Sequence, residues 1–204
     1  MADPGPGPST GLRERTRSSP LGNLVVLAVV TALILGAAWW LNQGSASGAG
    51  SAVDVPAAAG PAPEPGGPAP GFAAMTADGA AVSLEALGGK PVWLSFVATW
   101  CASCRSEASD VEDAARAADG QVEVISIYLG EDANTVGSYA ERLEATHLQV
   151  PDPDKAIASR YRIMSVPTHV FIDAQGRIHS THTGVMTRAA MDETLRDVLS
   201  ASGG

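Results

Sequence analysis

The sequence has few cysteines and few basic residues. Its 204 residues include two cysteines, which excludes a scaffold held by several disulfides and allows at most one intramolecular bridge. Lysine and arginine number 13 against 22 aspartate and glutamate, a net charge of −9, so the chain lacks the general basic surface that nucleic-acid-binding proteins use. Hydrophobic residues make up 45% of the chain, which excludes a wholly disordered protein and suffices for the core of one domain.

No charged residue occurs between Arg17 and Asp54. Residues 21–41 within this gap are predominantly apolar and, as a helix, would span about 30 Å, the thickness of a bilayer hydrocarbon core. The sequence therefore predicts one transmembrane helix there. A cleaved signal peptide is the alternative, but the run is longer than the about 7–15 apolar residues usual in signal peptides.

The charges beside the apolar run predict its orientation. Arg13, Arg15 and Arg17 precede it, so the positive-inside rule keeps residues 1–20 in the cytoplasm and places everything after residue 41 outside. The predicted protein is a single-pass protein of the cell membrane in contact with the lipid bilayer, and its anchor is not cleaved.

The remainder divides into a linker and a domain. Residues 42–70 are rich in Pro, Gly and Ala, which predicts a disordered tether. Residues 71–204 alternate apolar runs with amphipathic stretches. Strands are predicted at 91–99, 122–129, 168–173 and 177–183, with a small hairpin at 72–82. Helices are predicted from the cysteine pair to residue 118 and at 134–146, 157–162 and 187–199, with one helical turn at 83–87. This pattern predicts an α/β fold with parallel pairing at the centre of the sheet.

The two cysteines form a Cys-x-x-Cys motif at the predicted junction of a strand and a helix. Cys101 precedes the helix, where unpaired backbone amides and the helix dipole favour a thiolate, and Cys104 is placed to resolve a mixed disulfide formed at Cys101. A purely structural bridge would close too small a loop to stabilise the fold much. A zinc or copper site would need two more ligands, and the four histidines offer no ligand-spaced pair near the motif. The spacing thus favours redox chemistry, with metal binding and inert cysteines as alternatives.

A second motif, Ser165-Val166-Pro167-Thr168, stands directly before an apolar strand. Proline opening a central strand is restricted to places where its missing amide does no harm. A cis Val166–Pro167 bond and a trans proline that ends a loop are both compatible with the sequence.

Taken together, WCASC, VPT and FIDAQGRI in this order resemble the thioredoxin fold, over about residues 70–200. The segment GKPVWLSFVATWCASCRSE is similar to the TlpA/ResA-like branch of membrane-tethered, extracytoplasmic thiol-disulfide oxidoreductases, which includes cytochrome c maturation proteins. The resemblance implies a thioredoxin fold with a central mixed sheet flanked by helices.

The resemblance also implies roles for six residues. Cys101 is the exposed nucleophile and Cys104 the resolving thiol. Glu107 corresponds to an acidic residue near the active site that would raise a thiol pKa and could shuttle a proton through water. The remaining three are expected to contact the substrate, with a cis-proline packed beside the cysteines: Trp100, Val166 and Pro167.

The sequence departs from this branch between the cysteines. Ala102-Ser103 stands where a proline usually occupies the second place. This dipeptide tunes thiolate stability, so the direction of the redox reaction does not transfer with the resemblance. Ser95 also stands where thioredoxin has a buried acid, which argues against a general cytoplasmic thioredoxin.

The predicted function is extracytoplasmic thiol-disulfide exchange, with no cofactor besides the cysteine pair and no metal. The resemblance favours reduction of a cysteine-containing protein such as apocytochrome c or a copper-site assembly factor. Because the chain has no second cysteine pair, a separate membrane thiol-disulfide protein must supply electrons. The alternatives are a disulfide-inserting oxidant of the same fold, a copper(I) metallochaperone and, more remotely, a thiol peroxidase.

Overall fold

The computed structural model describes residues 24–25, 27, 29–36 and 62–203. These residues fall into two units, one within Met1–Ala52 and the other within Val53–Gly204. In the first unit the described residues are helical, and their large apolar side chains are exposed. No helix among the residues described is both long and apolar enough to cross a bilayer. The predicted cytoplasmic segment, most of the linker and the ends of the predicted anchor lie outside the described residues.

The second unit has a five-stranded sheet in the order β5-β4-β3-β6-β7. Strands β3, β4 and β5 are parallel, while β6 is antiparallel to β3 and to β7. The sheet strands are β3 Val92–Val97, β4 Glu123–Leu129, β5 Leu148–Asp152, β6 Thr168–Ile172 and β7 Ile178–Thr183. A separate hairpin pairs β1 Ala73–Met75 with β2 Ala81–Ser83, and a 3₁₀ turn follows at Glu85–Leu87. The helices are α1 Ala102–Ala117, α2 Ala133–Leu143, α3 Ala156–Arg160 and α4 Arg188–Ser202. The predicted α/β fold with a central mixed sheet is confirmed.

Alternation along the buried strands gives the sheet two apolar faces. On one face Trp93 stacks on Phe171, with ring centroids 5.2 Å apart, beneath apolar side chains of α1 and α4. On the other face Phe96 packs against Tyr161 of the α3 region and against the β1–β2 hairpin. All six residues of β3 are buried, as expected for a strand with helices on both faces.

Strand β5 was missed by the sequence analysis. It is a short edge strand that contains Pro151, and its residues are too polar to give an apolar run. Proline is tolerated at a sheet edge because one side of the strand has no ladder partner.

Residues just before Gly71 contact the domain. The Gly66 amide donates to the Ile178 carbonyl at 2.7 Å, and the Tyr161 hydroxyl donates to the Pro70 carbonyl at 2.8 Å. The last residues of the predicted linker are therefore hydrogen-bonded to the domain. Backbone hydrogen bonds to β7 explain why a Pro- and Gly-rich stretch is ordered there.

Candidate active site

The cysteine pair lies where β3 ends and α1 begins. Cys101 is the N-cap residue of α1 and forms a disulfide with Cys104, one turn into the helix. The loop before the pair is held by Glu131 at the end of β4, whose carboxylate accepts the Thr99 amide at 2.8 Å and the Thr99 hydroxyl. The fold thus places the motif at the carboxyl end of a central strand.

Two donors point at the sulfur of Cys101. The Cys104 backbone N–H lies 3.2 Å from Cys101 Sγ, and the Ser103 hydroxyl lies 3.1 Å from it. After reduction of the disulfide, both donors and the helix N-terminus would favour a thiolate at Cys101. Ser103 belongs to the dipeptide that departs from the family pattern, but its contact with Cys101 was not predicted from the sequence. Its position inside the motif, two residues after the N-cap, was the available signal.

Cys101 borders an open groove of about 730 Å³. Trp100, which is 68% exposed, and Met164, which is 93% exposed, border the same groove. The Val166 carbonyl oxygen lies 3.8 Å from Cys101 Sγ. Cys101 itself is only 6% exposed in the disulfide form, so the expectation of an exposed residue is wrong for this state, although the groove gives access to it.

The Val166–Pro167 peptide bond is cis, one of the two forms that the sequence left open. Pro167 is buried, and its carbonyl accepts the Gly184 amide at 2.9 Å. Val166 borders the groove beside Cys101. The VPT motif and the cysteine motif therefore meet in space, 65 residues apart in sequence.

Cys104 borders a different space, a narrow cavity of about 20 Å³. Such a volume is about that of one water molecule, since a cavity needs roughly 10–15 Å³ to hold one. The polar and sulfur-containing residues around it come from β3, α1, β4, α2 and the segment before β5. They are Ser95, Cys104, Glu107, Ser126, Tyr128, Tyr139 and His147.

A row of polar residues crosses the sheet beneath α1. The strand registers pair Ser126 with Gln149 on one side and with Ser95 on the other, and then Ser95 with His169 and His169 with His182. The Ser95 hydroxyl is fully buried and has no hydrogen-bond partner among the described residues. This row places polar groups on an otherwise apolar face, next to the cysteine helix.

Glu107 is buried at 1% exposure on the cavity wall. Its Oε2 atom accepts the Met186 amide at 2.9 Å. Its Oε1 atom lies 3.2 Å from His169 Nε2, although the orientation does not make a hydrogen bond. The indole N–H of Trp93 donates to His169 Nδ1 at 3.3 Å, so the ring proton of a neutral His169 is on Nε2 and faces Glu107. Both carboxylate oxygens thus face groups of the sheet and of the loop before α4.

A second buried carboxylate, Glu112, lies further along α1. It accepts hydrogen bonds from the Thr146 amide and hydroxyl, from His147 Nδ1 at 2.7 Å and from Arg116 Nε at 2.7 Å. Burial alone raises the pKa of Glu112, but the hydrogen bonds from Thr146 and His147 outweigh it and lower this pKa to about 2. Glu112 is therefore a permanent anion at neutral pH.

Among the described residues, no group of three or more His, Cys, Asp or Glu side chains is arranged to hold a metal ion. The nearest approach of histidines is that of His169 and His182, whose ring centroids are 6.3 Å apart. His147 is hydrogen-bonded through both ring nitrogens.

Comparison with known proteins agrees with this geometry. The model of the AhpC/TSA family matches residues 65–181. The chain belongs to this family. The thioredoxin-like protein YneN of Bacillus subtilis is 32% identical over 130 residues, 62% of this chain and 76% of YneN. The thiol-disulfide oxidoreductase ResA of the same organism is 27% identical over 129 residues, 63% of this chain and 72% of ResA.

A solved structure gives the same result for the fold. The thiol:disulfide interchange protein of Chlorobium tepidum superposes with a TM-score of 0.61 at 27% identity, covering 67% of this chain and 97% of that one. This AhpC/TSA member is thus a TlpA/ResA-like thiol-disulfide oxidoreductase, and such enzymes act on cysteine-containing proteins through a cysteine disulfide. The predicted family and enzyme class are confirmed.

The structure brings five of the six predicted site residues to one end of the sheet around the disulfide. Trp100 and Val166 lie on the groove side with Cys101, while Glu107 lies on the cavity side with Cys104. Pro167 follows Val166, and their individual roles stay predictions. The cavity-side residues Ser126 and His147 were not predicted from the sequence, because their meeting with Ser95 depends on strand register and on the unpredicted β5.

Proposed function

We propose that this AhpC/TSA member reduces disulfides of partner proteins outside the cytoplasm, with Cys101 as nucleophile and Cys104 as resolving thiol. The observation that carries this proposal is that the two sulfurs of the disulfide border two different spaces. Cys101 borders a wide groove of about 730 Å³ with exposed apolar side chains, whereas Cys104 borders a narrow cavity of about 20 Å³. A partner protein therefore has room to approach the disulfide at Cys101 and not at Cys104.

The exchange proceeds in two displacements. The Cys101 thiolate attacks one sulfur of the partner disulfide, forms a mixed disulfide and releases the other partner sulfur as a thiolate. Cys104 then loses its proton and attacks Cys101 Sγ, which re-forms the Cys101–Cys104 bond and releases the second partner thiolate. Two electrons pass from the enzyme to the partner, whose two thiolates take up protons. Trp100 and Val166 would hold the partner chain beside Cys101.

Glu107 acts on the second displacement through its charge. Its carboxylate lies on the wall of the cavity that Cys104 borders, while both oxygens face other groups. A neighbouring negative charge disfavours a thiolate, so Glu107 keeps the Cys104 thiol protonated until a mixed disulfide is formed. This position favours an electrostatic role over direct proton transfer.

The substrate and the electron donor follow from the resemblance to cytochrome c maturation proteins. We infer a cysteine-containing partner such as apocytochrome c or a copper-site assembly factor. Because both cysteines of the chain are in one pair, a separate membrane thiol-disulfide protein must reduce it after each turnover.

We also propose that residues 21–41 anchor the chain in the cell membrane, with the domain on the outer side. The charge-free apolar run, the three arginines before it and the exposed apolar side chains of the described helical residues support this location. Extraction of membranes at alkaline pH tests it, because an anchored chain stays in the pellet and an unanchored one is released. Protease added to intact cells would then degrade the domain only if it lies outside.

Capture of the partner tests the exchange. A Cys104→Ser variant expressed in its membrane should accumulate mixed disulfides through Cys101 that reducing agent releases. The variant that also carries Cys101→Ser is the matched control and should capture nothing. Failure of the single variant to capture any protein would contradict the proposal.

The redox potential of the full-length protein decides the direction. Equilibration with glutathione or dithiothreitol buffers, followed by tryptophan fluorescence, should give about −250 mV or lower for a reductant. A value near −120 to −180 mV would identify a disulfide-inserting oxidant. Absence of a reversible two-electron couple would favour copper(I) binding by the two thiolates.

A further inference from the structure

Three buried side chains form an unbroken hydrogen-bonded chain on the cavity side of α1. Ser126 Oγ lies 2.8 Å from His147 Nε2, and His147 Nδ1 lies 2.7 Å from Glu112 Oε2. The side chains of His147 and Glu112 are each only 7% exposed. With an ionised Glu112 accepting from Nδ1, a neutral His147 has its free lone pair on Nε2 and accepts the Ser126 hydroxyl proton. A carboxylate that orients an imidazole, which in turn polarises a serine, is a general-base arrangement.

This chain borders two spaces. Ser126 and His147 border the same narrow cavity as Cys104. His147 also borders a second groove of about 340 Å³. The buried Ser95 hydroxyl, which has no partner among the described residues, borders the narrow cavity too and would be satisfied by a single water there. His147 thus borders both spaces.

We propose that Ser126 and His147 accept the proton of Cys104 during the second displacement, with Glu112 holding the imidazole in position. This inference rests on the proposed function, in which Cys104 must lose a proton before it attacks Cys101. None of the three groups touches the partner, so they act on the rate of resolution and not on partner binding.

The Cys104 thiol would give its proton to a water held in the cavity, which gives one to Ser126 Oγ as the Ser126 hydroxyl proton passes to His147 Nε2. The Cys104 thiolate attacks Cys101 Sγ, the bond between Cys101 and the partner sulfur breaks, and the partner leaves as a thiolate. The imidazolium of His147 then loses its Nε2 proton to water, which restores the neutral ring with its remaining proton on Nδ1, held by Glu112. No electrons pass through the relay.

The charges around His147 suit a base that is neutral between turnovers. Burial lowers the pKa of His147, and the hydrogen bond to Glu112 offsets part of that effect. Besides Cys104, the ionisable groups that border these two spaces or contact Glu112 come from α1, β4, α2 with the residue after it, and the β1–β2 turn. They are Glu107, Glu112, Arg116, Tyr128, Tyr139, Glu141, Glu144 and Asp78. Glu112 is the member that contacts the imidazole as an anion and would stabilise its protonated form.

The test separates the two displacements with 5,5′-dithiobis(2-nitrobenzoate) as the probe. The reduced full-length protein, kept in mild detergent, releases one thionitrobenzoate when Cys101 attacks the probe and a second when Cys104 resolves the mixed disulfide. The first phase reports the proposed function and the second reports the relay. The variants are Ser126→Ala and His147→Gln, and the matched control is His179→Gln, a partly buried histidine that borders neither the cavity nor the second groove.

At pH 7 both relay variants should slow the second phase by about tenfold or more, the lower range of general-base effects, with an unchanged first phase. The control should behave as the wild type in both phases. Above about pH 10 hydroxide removes thiol protons directly, so the variants should approach the wild-type rate. Loss of the first phase in the wild type would refute the proposed function instead.

Two results would overturn the relay. One is a second phase that matches the control at pH 7, and the other is a slowing of equal size at every pH, which indicates displaced sulfur atoms. Nitrogen-15 NMR of His147 in the wild-type protein gives a check that needs no variant. It should show a proton on Nδ1 and none on Nε2 at pH 7, and a proton on Nε2 would mean that Ser126 cannot pass its proton on.

Discussion

Cys101 and Cys104 share one disulfide, yet the spaces beside them differ in width and in the side chains that border them. Around Cys101 are an open groove, two highly exposed apolar side chains and donors aimed at the sulfur. Around Cys104 are a narrow cavity of one-water size and a set of buried hydroxyl, imidazole and carboxylate groups. The groove side is arranged to receive a protein and stabilise a thiolate, whereas the cavity side is arranged to hold and move a proton.

The difference follows from where each sulfur lies on α1. Cys101 is the N-cap residue and borders the groove, while Cys104, one turn later, borders the cavity with residues of β3 and β4. The register of β3 and β4 pairs Ser95 with Ser126, so two hydroxyl groups border the cavity beside Cys104. One helical turn thus separates the sulfur proposed to react with the partner protein from the sulfur proposed to lose its proton to the cavity side.

The largest expected effect comes from replacing each cysteine by serine in turn. Cys101→Ser should abolish both phases of thionitrobenzoate release, because the accessible nucleophile is gone. Cys104→Ser should keep the first phase and lose the second, because no thiol remains to resolve the mixed disulfide. Absorbance at 412 nm measures both. A fast first phase in Cys101→Ser would mean that Cys104 is reachable from solvent and would remove the distinction between the two sides.

The next effect concerns the stability of the cavity side. Glu112→Gln should lower the free energy of unfolding at pH 7 by about 2–3 kcal/mol, because the charged partner of His147, Arg116 and Thr146 is lost. Urea unfolding followed by tryptophan fluorescence measures it. Asp113→Asn, which changes a mostly exposed acid with a 3.8 Å ion pair to Arg188, is the control and should change stability by less than about 1 kcal/mol.

The same network gives a signed pH dependence. The pKa of Glu112 is about 2 in the fold against an ordinary value of 4.5, so its stabilisation is complete above pH 4.5 and is lost as pH falls towards 2. Burial keeps the pKa of His147 below its ordinary value of 6.5, so stability also declines as pH falls below 6.5. Glu112→Gln should remove the acid part of this decline. An unchanged slope between pH 4.5 and 2 in the variant would contradict the assignment.

The sequence predicted most of the fold because the chain signals it locally. Apolar runs in β3, β4 and β6 are long enough to be recognised, and the helices between them are amphipathic. The exceptions are elements stabilised by pairing with distant residues. β5 depends on β4 for its backbone partners, and the ordered residues before Gly71 depend on β7. Neither has an apolar pattern of its own.

The site divides in the same way. Cys101, Cys104 and Val166-Pro167 were predicted because each stands in a motif read directly from the chain. Ser126 and His147 were not, because a serine inside a strand and a histidine before an unrecognised strand have no local signal. The hydrogen bond between them exists only once β5 pairs with β4. The position of Ser126 beside His147 is therefore determined by strand pairing and not by a sequence motif.

A smaller effect is expected on the groove side from Trp100→Ala. Its exposed ring next to Cys101 is a suitable anchor for a partner chain, so its removal should raise KM for a disulfide-containing protein substrate by about tenfold. The first phase with the small thiol probe should change little. Met75→Ala, an exposed apolar residue on β1 outside the groove, is the control. A matching change in the small-probe rate would indicate that Trp100 affects the thiolate and not partner binding.

The smallest effect, and the one that best separates the roles on the cavity side, is expected from Glu107→Gln. Removing a negative charge from the cavity wall favours the Cys104 thiolate, so the second phase should become about threefold to tenfold faster at pH 6–7. Ser126→Ala should have the opposite effect in the same assay, because it removes the route by which the proton leaves. Slower resolution in Glu107→Gln, with Ser126→Ala unchanged, would instead make Glu107 the proton acceptor, and the two oxygens that face His169 and Met186 would have to turn towards the cavity to accept it.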